Sequence, residues 1–410
     1  MSRSLLALLA LAATTVAAVA CPFCSTQGQT LSGEIATADL IVLGTLTNAK
    51  PDPADITKGT TDLVIESVIK PHGYLAGKKV LVIPRYLPDA ARAGDTKFLV
   101  YGAVYTKPAD LTAAGLTGGW LLTRPETVVF DPYRGVPMRS DSALPLYLQG
   151  AIAVREKDTP ARLRYFFDYL ENPDLEISTD AMMEFGNTEY KDVRALAEKL
   201  PGEKVLKWLQ DPNTPPSRYG LYGLMVGHCA KKEDAVKLRA LLDDPARAKS
   251  SGVDGLMAGL ILLDPKLGWD HLTALIKDPN QEFATHYACL RTLRFFWEFR
   301  PDVIGKDKVL AGMRDLVALK DLADLPIEDL RKWGCWDQTD YVLGFAAKES
   351  HNKTPIIRRA ILRFALSAPA SHAAAKQYVE QARKEDPERV KFVEQTLADD
   401  KPLTPPAAGK

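Results

Sequence analysis

The chain has 410 residues, of which 46% are hydrophobic and 25% charged, and 52 basic side chains balance 52 acidic ones. A net charge of zero excludes a strongly basic nucleic-acid-binding protein and a polybasic membrane-surface protein. The composition is that of a folded protein of about two or three domains and points to no particular reaction.

Residues 1–20 have the features of a secretory signal peptide. Arg3 precedes an apolar segment that ends at residues 18–20, whose sequence AVA is a small-residue cleavage site. A membrane-spanning helix needs about 20 apolar residues, and no later segment has them. We therefore predict an exported protein (periplasmic, cell-envelope or secreted) with no membrane span. Its mature chain would begin at Cys21, with either a free α-amino group or a lipid anchor on that cysteine.

Cys21 and Cys24 form a C-x-x-C sequence at this mature terminus. A redox dithiol, half of a metal site and a local disulfide are the three interpretations. Redox pairs of this type follow a strand, and a zinc site needs about four ligands, so the surroundings favour a disulfide. The other three cysteines lie in apolar helical segments and are predicted to be buried thiols, namely Cys229, Cys289 and Cys335.

Residues 21–150 are predicted to form a small β domain, either a barrel or a sandwich. Short β-branched segments alternate with turns rich in proline and glycine, which is typical of such folds. Gly102 predicts a bulge or bend within its strand. The predicted strands cover residues 40–46, 62–70, 79–83 and 97–105, followed by a hairpin of 120–123 and 127–130.

The N-terminal cysteines and the segments 38–44 (ADLIVLG), 62–70 (DLVIESVIK) and 97–102 (KFLVYG) together resemble the netrin-like domain. That domain is found in tissue inhibitors of metalloproteinases and in some exported bacterial proteins. The resemblance implies an OB-type barrel over about residues 21–130. It also implies that Cys21 takes the place of the inhibitors' first cysteine, whose α-amino group and carbonyl chelate the protease zinc. This chain departs from the inhibitors in having C-x-x-C for C-x-C and no cysteine between Cys24 and Cys229.

After residue 155 the apolar residues follow helical spacing. Three of the predicted helices end in similar Asp-Pro sequences, at Asp211, Asp244 and Asp278, which lie 33 and 34 residues apart. Proline ends a helix, so these aspartates are predicted to mark helix ends and not a catalytic site. A period of this length predicts a HEAT-like α-solenoid of helical hairpins over residues 155–400, followed by a disordered tail, 401–410.

The densest group of aromatic and polar side chains is a candidate binding cluster, with core packing as the alternative. No motif for a nucleophile, a phosphate loop or a dinucleotide fold is found, so we predict no catalytic residue, cofactor or metal ligand. The four residues of the cluster are Trp333, Trp336, Asp337 and Tyr341. A second aromatic group is predicted to pack within its helix and consists of Phe295, Phe296, Trp297 and Phe299.

These features predict a non-enzymatic exported binding or scaffold protein that holds a protein partner on its solenoid. A metalloprotease inhibitor acting through Cys21 is one alternative. A thiol–disulfide redox protein using Cys21 and Cys24 is the other.

Overall fold

The structure, a computed structural model, describes residues 21–24, 28–88, 96–106 and 128–400, apart from the side chains of residues 56 and 57. The predicted leader, the predicted strand 120–123 and the predicted tail lie outside these residues. The chain divides between Leu196 and Ala197 into two compact units.

The first unit contains a five-stranded antiparallel sheet in the order β3-β2-β1-β4-β5. Four strands lie where the sequence predicts them, although β1 and β2 are longer. β5 pairs with β4 and is an end strand of the sheet, where its two prolines remove no needed hydrogen bond. The strands are β1 (Leu40–Asp52), β2 (Asp55–Lys70), β3 (Val80–Ile83), β4 (Thr96–Tyr105) and β5 (Val129–Arg139).

Two glycines and their neighbouring bulges curve this sheet. A Cβ on Gly44 would lie 2.2 Å from the carbonyl oxygen of Val64, and the β1–β2 register shifts there. A Cβ on Gly102 would lie 2.2 Å from the ring of Phe130, and the β4–β5 register shifts at this glycine. The predicted bend at Gly102 is thus confirmed. One apolar core includes Leu81 of β3 and Phe130 of β5, so the two end strands curl toward a shared interior.

The helical region begins earlier than residue 155. Helix α2 starts at Leu144 and buries residues at the spacing i, i+3, i+4, i+7, which the sequence analysis missed. It contacts β2 and also the helices that precede and follow it in the first unit, so it connects the sheet with those helices. The helices of this part are α1 (Leu31–Thr37), α2 (Leu144–Val154), α3 (Thr159–Phe167), α4 (Leu175–Gly186) and α5 (Tyr190–Ala197).

The second unit is helical in all of its described regular structure, apart from turns and short 3₁₀ segments, so a β region followed by an α region is confirmed. Its helices are α6 (Gly202–Gln210), α7 (Tyr219–Cys229), α8 (Ala235–Asp243), α9 (Pro245–Ala248), α10 (Val253–Leu263), α11 (Pro265–Lys277), α12 (Phe283–Glu298), α13 (Lys306–Val317), α14 (Asp324–Lys332), α15 (Thr339–Leu343), α16 (Glu349–Asn352), α17 (Pro355–Ser367), α18 (Ala373–Glu385) and α19 (Pro387–Ala398).

The three Asp-Pro sequences end helices α6, α8 and α11, as predicted. Asp211, Asp244 and Asp278 are the C-cap residues. The carboxylate of each accepts a hydrogen bond from the backbone N–H two residues later, at 2.8, 3.0 and 3.0 Å respectively. The repeated aspartates therefore stabilise the turn that follows each helix.

Helices α7 and α10 lie with their backbones in direct contact. A Cβ on Gly255 would lie 2.3 Å from the carbonyl oxygen of Gly220, and one on Gly259 would lie 2.1 Å from that of Gly223. The sequence GLMVG at 223–227 recurs 32 residues later as GLMAG at 255–259. The two helices therefore share a short glycine-containing sequence, which is a second sign of internal repetition beside the Asp-Pro spacing.

We expect Gly259→Ala to lower the free energy of unfolding by about 1–3 kcal/mol, because the added methyl group overlaps the α7 backbone. Urea denaturation followed by tryptophan fluorescence measures the change. Gly305→Ala is the control, since no heavy atom lies within 4 Å of its added Cβ. We expect that change to stay within about 0.5 kcal/mol, and equal losses in both variants would contradict the close contact of α7 with α10.

Candidate functional site

Cys21 and Cys24 are joined by a disulfide in the first unit, with their Cα atoms 5.5 Å apart. The two cysteines are 2% and 8% exposed, and Phe23 between them is buried as well. The backbone N–H of Cys24 donates to the carbonyl oxygen of Cys21 at 3.3 Å and closes a turn. The C-x-x-C sequence is thus a small, covalently closed, buried loop.

This geometry bears on the three chemical roles considered for the mature terminus. A thioether-linked lipid requires the Cys21 sulfur, which is bonded to Cys24 here. Zinc chelation by an inhibitor requires the Cys21 carbonyl, which accepts a hydrogen bond within the loop. Thiol–disulfide exchange requires attack on an accessible sulfur, and both cysteines are buried. None of these roles draws support from the described arrangement.

The segment after this loop is held by one face of helix α4. Asp180, Glu184 and Asn187 lie at positions i, i+4 and i+7, which share one side of a helix. The Asn187 amide accepts from the backbone N–H of Gly28 at 3.2 Å and donates to its carbonyl at 2.7 Å. Glu184 accepts from the hydroxyl of Thr30 at 2.5 Å. About two turns of α4, from Asp180 to its C-cap residue Asn187, therefore fix the start of α1.

Asp180 is the centre of this attachment and is 3% exposed. Its carboxylate accepts from the backbone N–H of Leu31 at 2.5 Å, from the Ser32 hydroxyl at 2.6 Å and from the Tyr147 hydroxyl at 2.7 Å. The first of these donors lies in the first turn of α1, where unpaired N–H groups attract a negative charge. One carboxylate thus joins α1, α2 and α4.

The electrostatics of this cluster follow from its burial. Burial raises the pKa of Asp180, although the hydrogen bonds from Ser32 and Tyr147 oppose that shift. Burial likewise raises the pKa of Glu184, and the nearby charge of Asp180 adds to the effect. Burial, followed by the Asp180 charge, raises the pKa of Tyr147. The sequence analysis missed this cluster because its members lie up to about 150 residues apart and match no motif.

We expect Asp180→Ala to lower the free energy of unfolding by about 2–4 kcal/mol, because the buried Leu31 N–H and Tyr147 hydroxyl and the half-buried Ser32 hydroxyl lose their acceptor. Chemical denaturation of the full chain measures the loss. Asp168→Ala is the control, since Asp168 is half-exposed and pairs with Arg164 on the surface of the same unit. A loss for Asp180→Ala no larger than for this control would contradict the attachment.

The raised pKa of Asp180 also predicts a pH dependence. The ordinary pKa of an aspartate is 3.8, and folding raises that of Asp180. A group with a raised pKa stabilises the folded state while it is protonated, and this stabilisation is lost as the pH rises through the folded-state pKa. Measured from about pH 4 toward pH 7, the free energy of unfolding of the wild type should therefore fall relative to that of Asp180→Asn. Asp168→Asn, on the surface of the same unit, is the control for the substitution itself. Parallel curves for the wild type and Asp180→Asn would show that Asp180 does not titrate in this way.

In the second unit, the predicted aromatic cluster separates into distinct contacts. Trp333 stacks on Trp297, with ring centroids 4.3 Å apart and planes 14° from parallel. Both rings are partly exposed, and the Lys306 ammonium lies 4.5 Å from the centroid of Trp297. The two tryptophans are 36 residues apart, close to the repeat interval. We name the surface formed by Trp297, Trp333 and Lys306 the tryptophan face.

The other three predicted residues have other partners. Trp336 meets the ring of Phe364 edge-on at 5.3 Å. The Tyr341 hydroxyl donates to the carbonyl oxygen of Arg314 at 2.8 Å, and the Arg314 guanidinium lies 4.2 Å from the centre of its ring. Exposed Asp337 accepts from the side chain of its neighbour Gln338 at 2.6 Å. The sequence analysis assigned Trp297 to helix packing and missed its part in the exposed pair.

Ion pairs connect successive long helices of the second unit. Each joins a buried or half-buried carboxylate to an arginine on a neighbouring helix of the series α10, α12, α14 and α17, and the two residues are 35 or 37 positions apart. Burial raises the pKa of Asp329, and the hydrogen bond from its arginine opposes the shift. The pairs are Asp254–Arg291 at 2.6 Å, Arg294–Asp329 at 2.7 Å and Glu328–Arg363 at 2.7 Å.

Two of the buried histidines in this unit each place one ring nitrogen beside a carbonyl oxygen at a helix end. His286 and His351 are each 1% exposed. A ring nitrogen of His286 lies 3.2 Å from the carbonyl oxygen of Asp278, and one of His351 lies 2.8 Å from that of Val317. These carbonyls end α11 and α13, where helices need hydrogen-bond partners. The two imidazoles therefore cap helices.

The three remaining cysteines are free thiols in the second unit. Burial raises the pKa of Cys229 and of Cys289 to about 12, and that of Cys335 to about 11. Such thiols stay protonated at neutral pH and are poor nucleophiles. Within the described ranges, no three side chains of His, Cys, Asp or Glu are grouped closely enough to hold a metal ion. Across the same residues, no helix combines the length and apolar character needed to cross a bilayer.

Comparisons with models of protein families, with curated proteins and with solved structures give no match to this chain.

Proposed function

We propose that this is an exported, non-enzymatic binding or scaffold protein that holds a protein partner on the tryptophan face of its second unit. The partly exposed Trp297–Trp333 stack is the observation that carries the proposal. Tryptophan dominates the energetics of protein interfaces, because its large ring buries much apolar area at little entropic cost. Lys306 beside the stack adds a cation at the rim.

We further propose that the second unit is a HEAT-like α-solenoid. The repeated Asp capping turns, the recurring glycine sequence and the ion pairs between successive helices support this architecture. In an α-solenoid, the stacked helical repeats form one extended surface, and several repeats contact the partner together. Trp297 and Trp333 would then be equivalent side chains of neighbouring repeats.

For the first unit we propose a netrin-like domain with an OB-type sheet. The curled five-stranded sheet, with a core shared by β3 and β5, supports this assignment, since OB folds are partly open five-stranded barrels. Export is supported by the leader-like residues 1–20 and by the Cys21–Cys24 disulfide, a bond that persists in oxidising compartments.

The test is affinity capture from a cell-envelope extract with the full chain carrying a C-terminal tag. We expect the wild type to retain a protein partner and Trp333→Ala to bind it roughly tenfold or more weakly. Trp208→Ala is the matched control. Trp208 is also partly exposed in a helix, 5.5 Å from the ring of Tyr222 and 5.0 Å from the Lys204 ammonium.

Circular dichroism melting of each variant confirms that it is folded before capture. Equal retention by both tryptophan variants would reject the tryptophan face. Failure of the wild type to retain any protein, together with measurable hydrolytic or redox turnover, would reject the binding function.

A further inference from the structure

An ion pair lies one helical turn before each ring of the tryptophan face. Arg294 precedes Trp297 by three residues on α12, and residues at this spacing share one side of a helix. Asp329 precedes Trp333 by four residues at the end of α14, with the same consequence. The Arg294 Nε atom donates to Asp329 Oδ2 at 2.7 Å, and the two rings stack with their centroids 4.3 Å apart. The ion pair and the stack therefore join the same two helices at adjacent turns.

Trp333 lies where α14 ends, so its position depends on that terminal turn. It is the C-cap residue, and its backbone N–H donates to the carbonyl oxygen of Asp329 at 2.8 Å. The chain leaves the helix at Gly334, whose φ of 68° is the left-handed conformation that favours glycine. The last turn of a helix frays more readily than its middle. A contact from this turn to a second helix therefore limits where the Trp333 ring can lie.

The Asp329 carboxylate makes such a contact from a buried position. Asp329 is 7% exposed, and removing the cation beside a buried carboxylate leaves an uncompensated charge. The planar guanidinium of Arg294 also donates in a fixed direction, which a flexible ammonium does not. Helix α13 packs against both α12 and α14. To this packing the ion pair adds a directional contact between the two helices that carry the rings.

Another ion pair of the same series has matching chemistry in a different place. Asp254 of α10 is 4% exposed and pairs with Arg291 of α12 at 2.6 Å. Burial raises the pKa of Asp254, as it does that of Asp329. Arg291 lies six residues before Trp297, about 120° around the helix axis from it. This pair therefore joins α12 to a helix that carries neither ring.

We infer that the Arg294–Asp329 ion pair positions the two rings of the tryptophan face and thereby sets the affinity of that face for a partner. With the pair intact, the last turn of α14 is held against α12, and Trp333 stays stacked on Trp297. Without the pair, this turn frays and the rings separate. Arg294 and Asp329 are thus positioning residues that act on a partner through the rings. The effect on affinity rests on the proposed function, whereas the effect on the stack does not.

The test is fluorine NMR of the full chain labelled with fluorotryptophan, without a partner. The resonance of Trp333 is the one that disappears in Trp333→Phe. The ring current of the stacked Trp297 displaces this resonance, so Trp297→Leu gives its frequency in the unstacked state. We expect Asp329→Asn and Arg294→Gln each to move the resonance most of the way to that frequency. Asp254→Asn is the matched control and should leave it in place.

Combining Asp329→Asn with Arg294→Gln should move the resonance no further than either change alone, because the two residues act as one unit. Urea denaturation shows that each variant is folded, and Arg294→Gln is the milder change, since the Arg294 side chain is 30% exposed. An unmoved resonance in the folded variants of the pair would overturn the inference. An equal displacement in Asp254→Asn would overturn it as well, since it would show a general loosening of the helices.

Affinity capture then separates this inference from the proposed function. A partner retained by the wild type should bind roughly tenfold more weakly to Asp329→Asn, and as in the wild type to Asp254→Asn. Equal retention by these two variants would overturn the effect on affinity. Capture of no partner by the wild type would reject the proposed function, while the displacement of the Trp333 resonance would still decide the positioning role.

Discussion

The buried carboxylate of Asp180 is the interaction on which the first unit depends. It accepts hydrogen bonds from the first turn of α1, from Ser32 and from Tyr147, and so joins two helices to the N-terminal segment. A carboxylate that lost these donors would be a buried, unpaired charge, which folded proteins avoid. This requirement fixes where the segment after the Cys21–Cys24 loop must lie.

The second unit is organised by contacts that repeat from one helical pair to the next. Glycines let the backbones of α7 and α10 touch, and carboxylate–arginine pairs connect α10, α12, α14 and α17. Half-buried ion pairs add little net stability but specify which side chains must meet. Repeated contacts of this kind hold Trp297 beside Trp333 and so form the tryptophan face.

The sequence predicted the fold better than it predicted the sites. Local patterns gave four of the strands, the bend at Gly102 and the helix ends at the Asp-Pro sequences, because proline, glycine and strand alternation act over a few residues. Among the proposed site residues, it identified Trp333 but assigned Trp297 to packing.

The sequence by itself determined the order of the β and α regions and the helix ends at the Asp-Pro sequences, since each depends on residues that are close together in the chain. Only the tertiary structure decided that α2 joins the sheet, that Asp180 holds α1 and that Trp333 faces Trp297. Each of these contacts joins residues that are far apart in the chain, and the attachment at Asp180 also requires that its buried hydrogen-bonding groups find partners. Hydrogen-bond satisfaction in a folded interior is a property of the whole unit and cannot be read from any one segment.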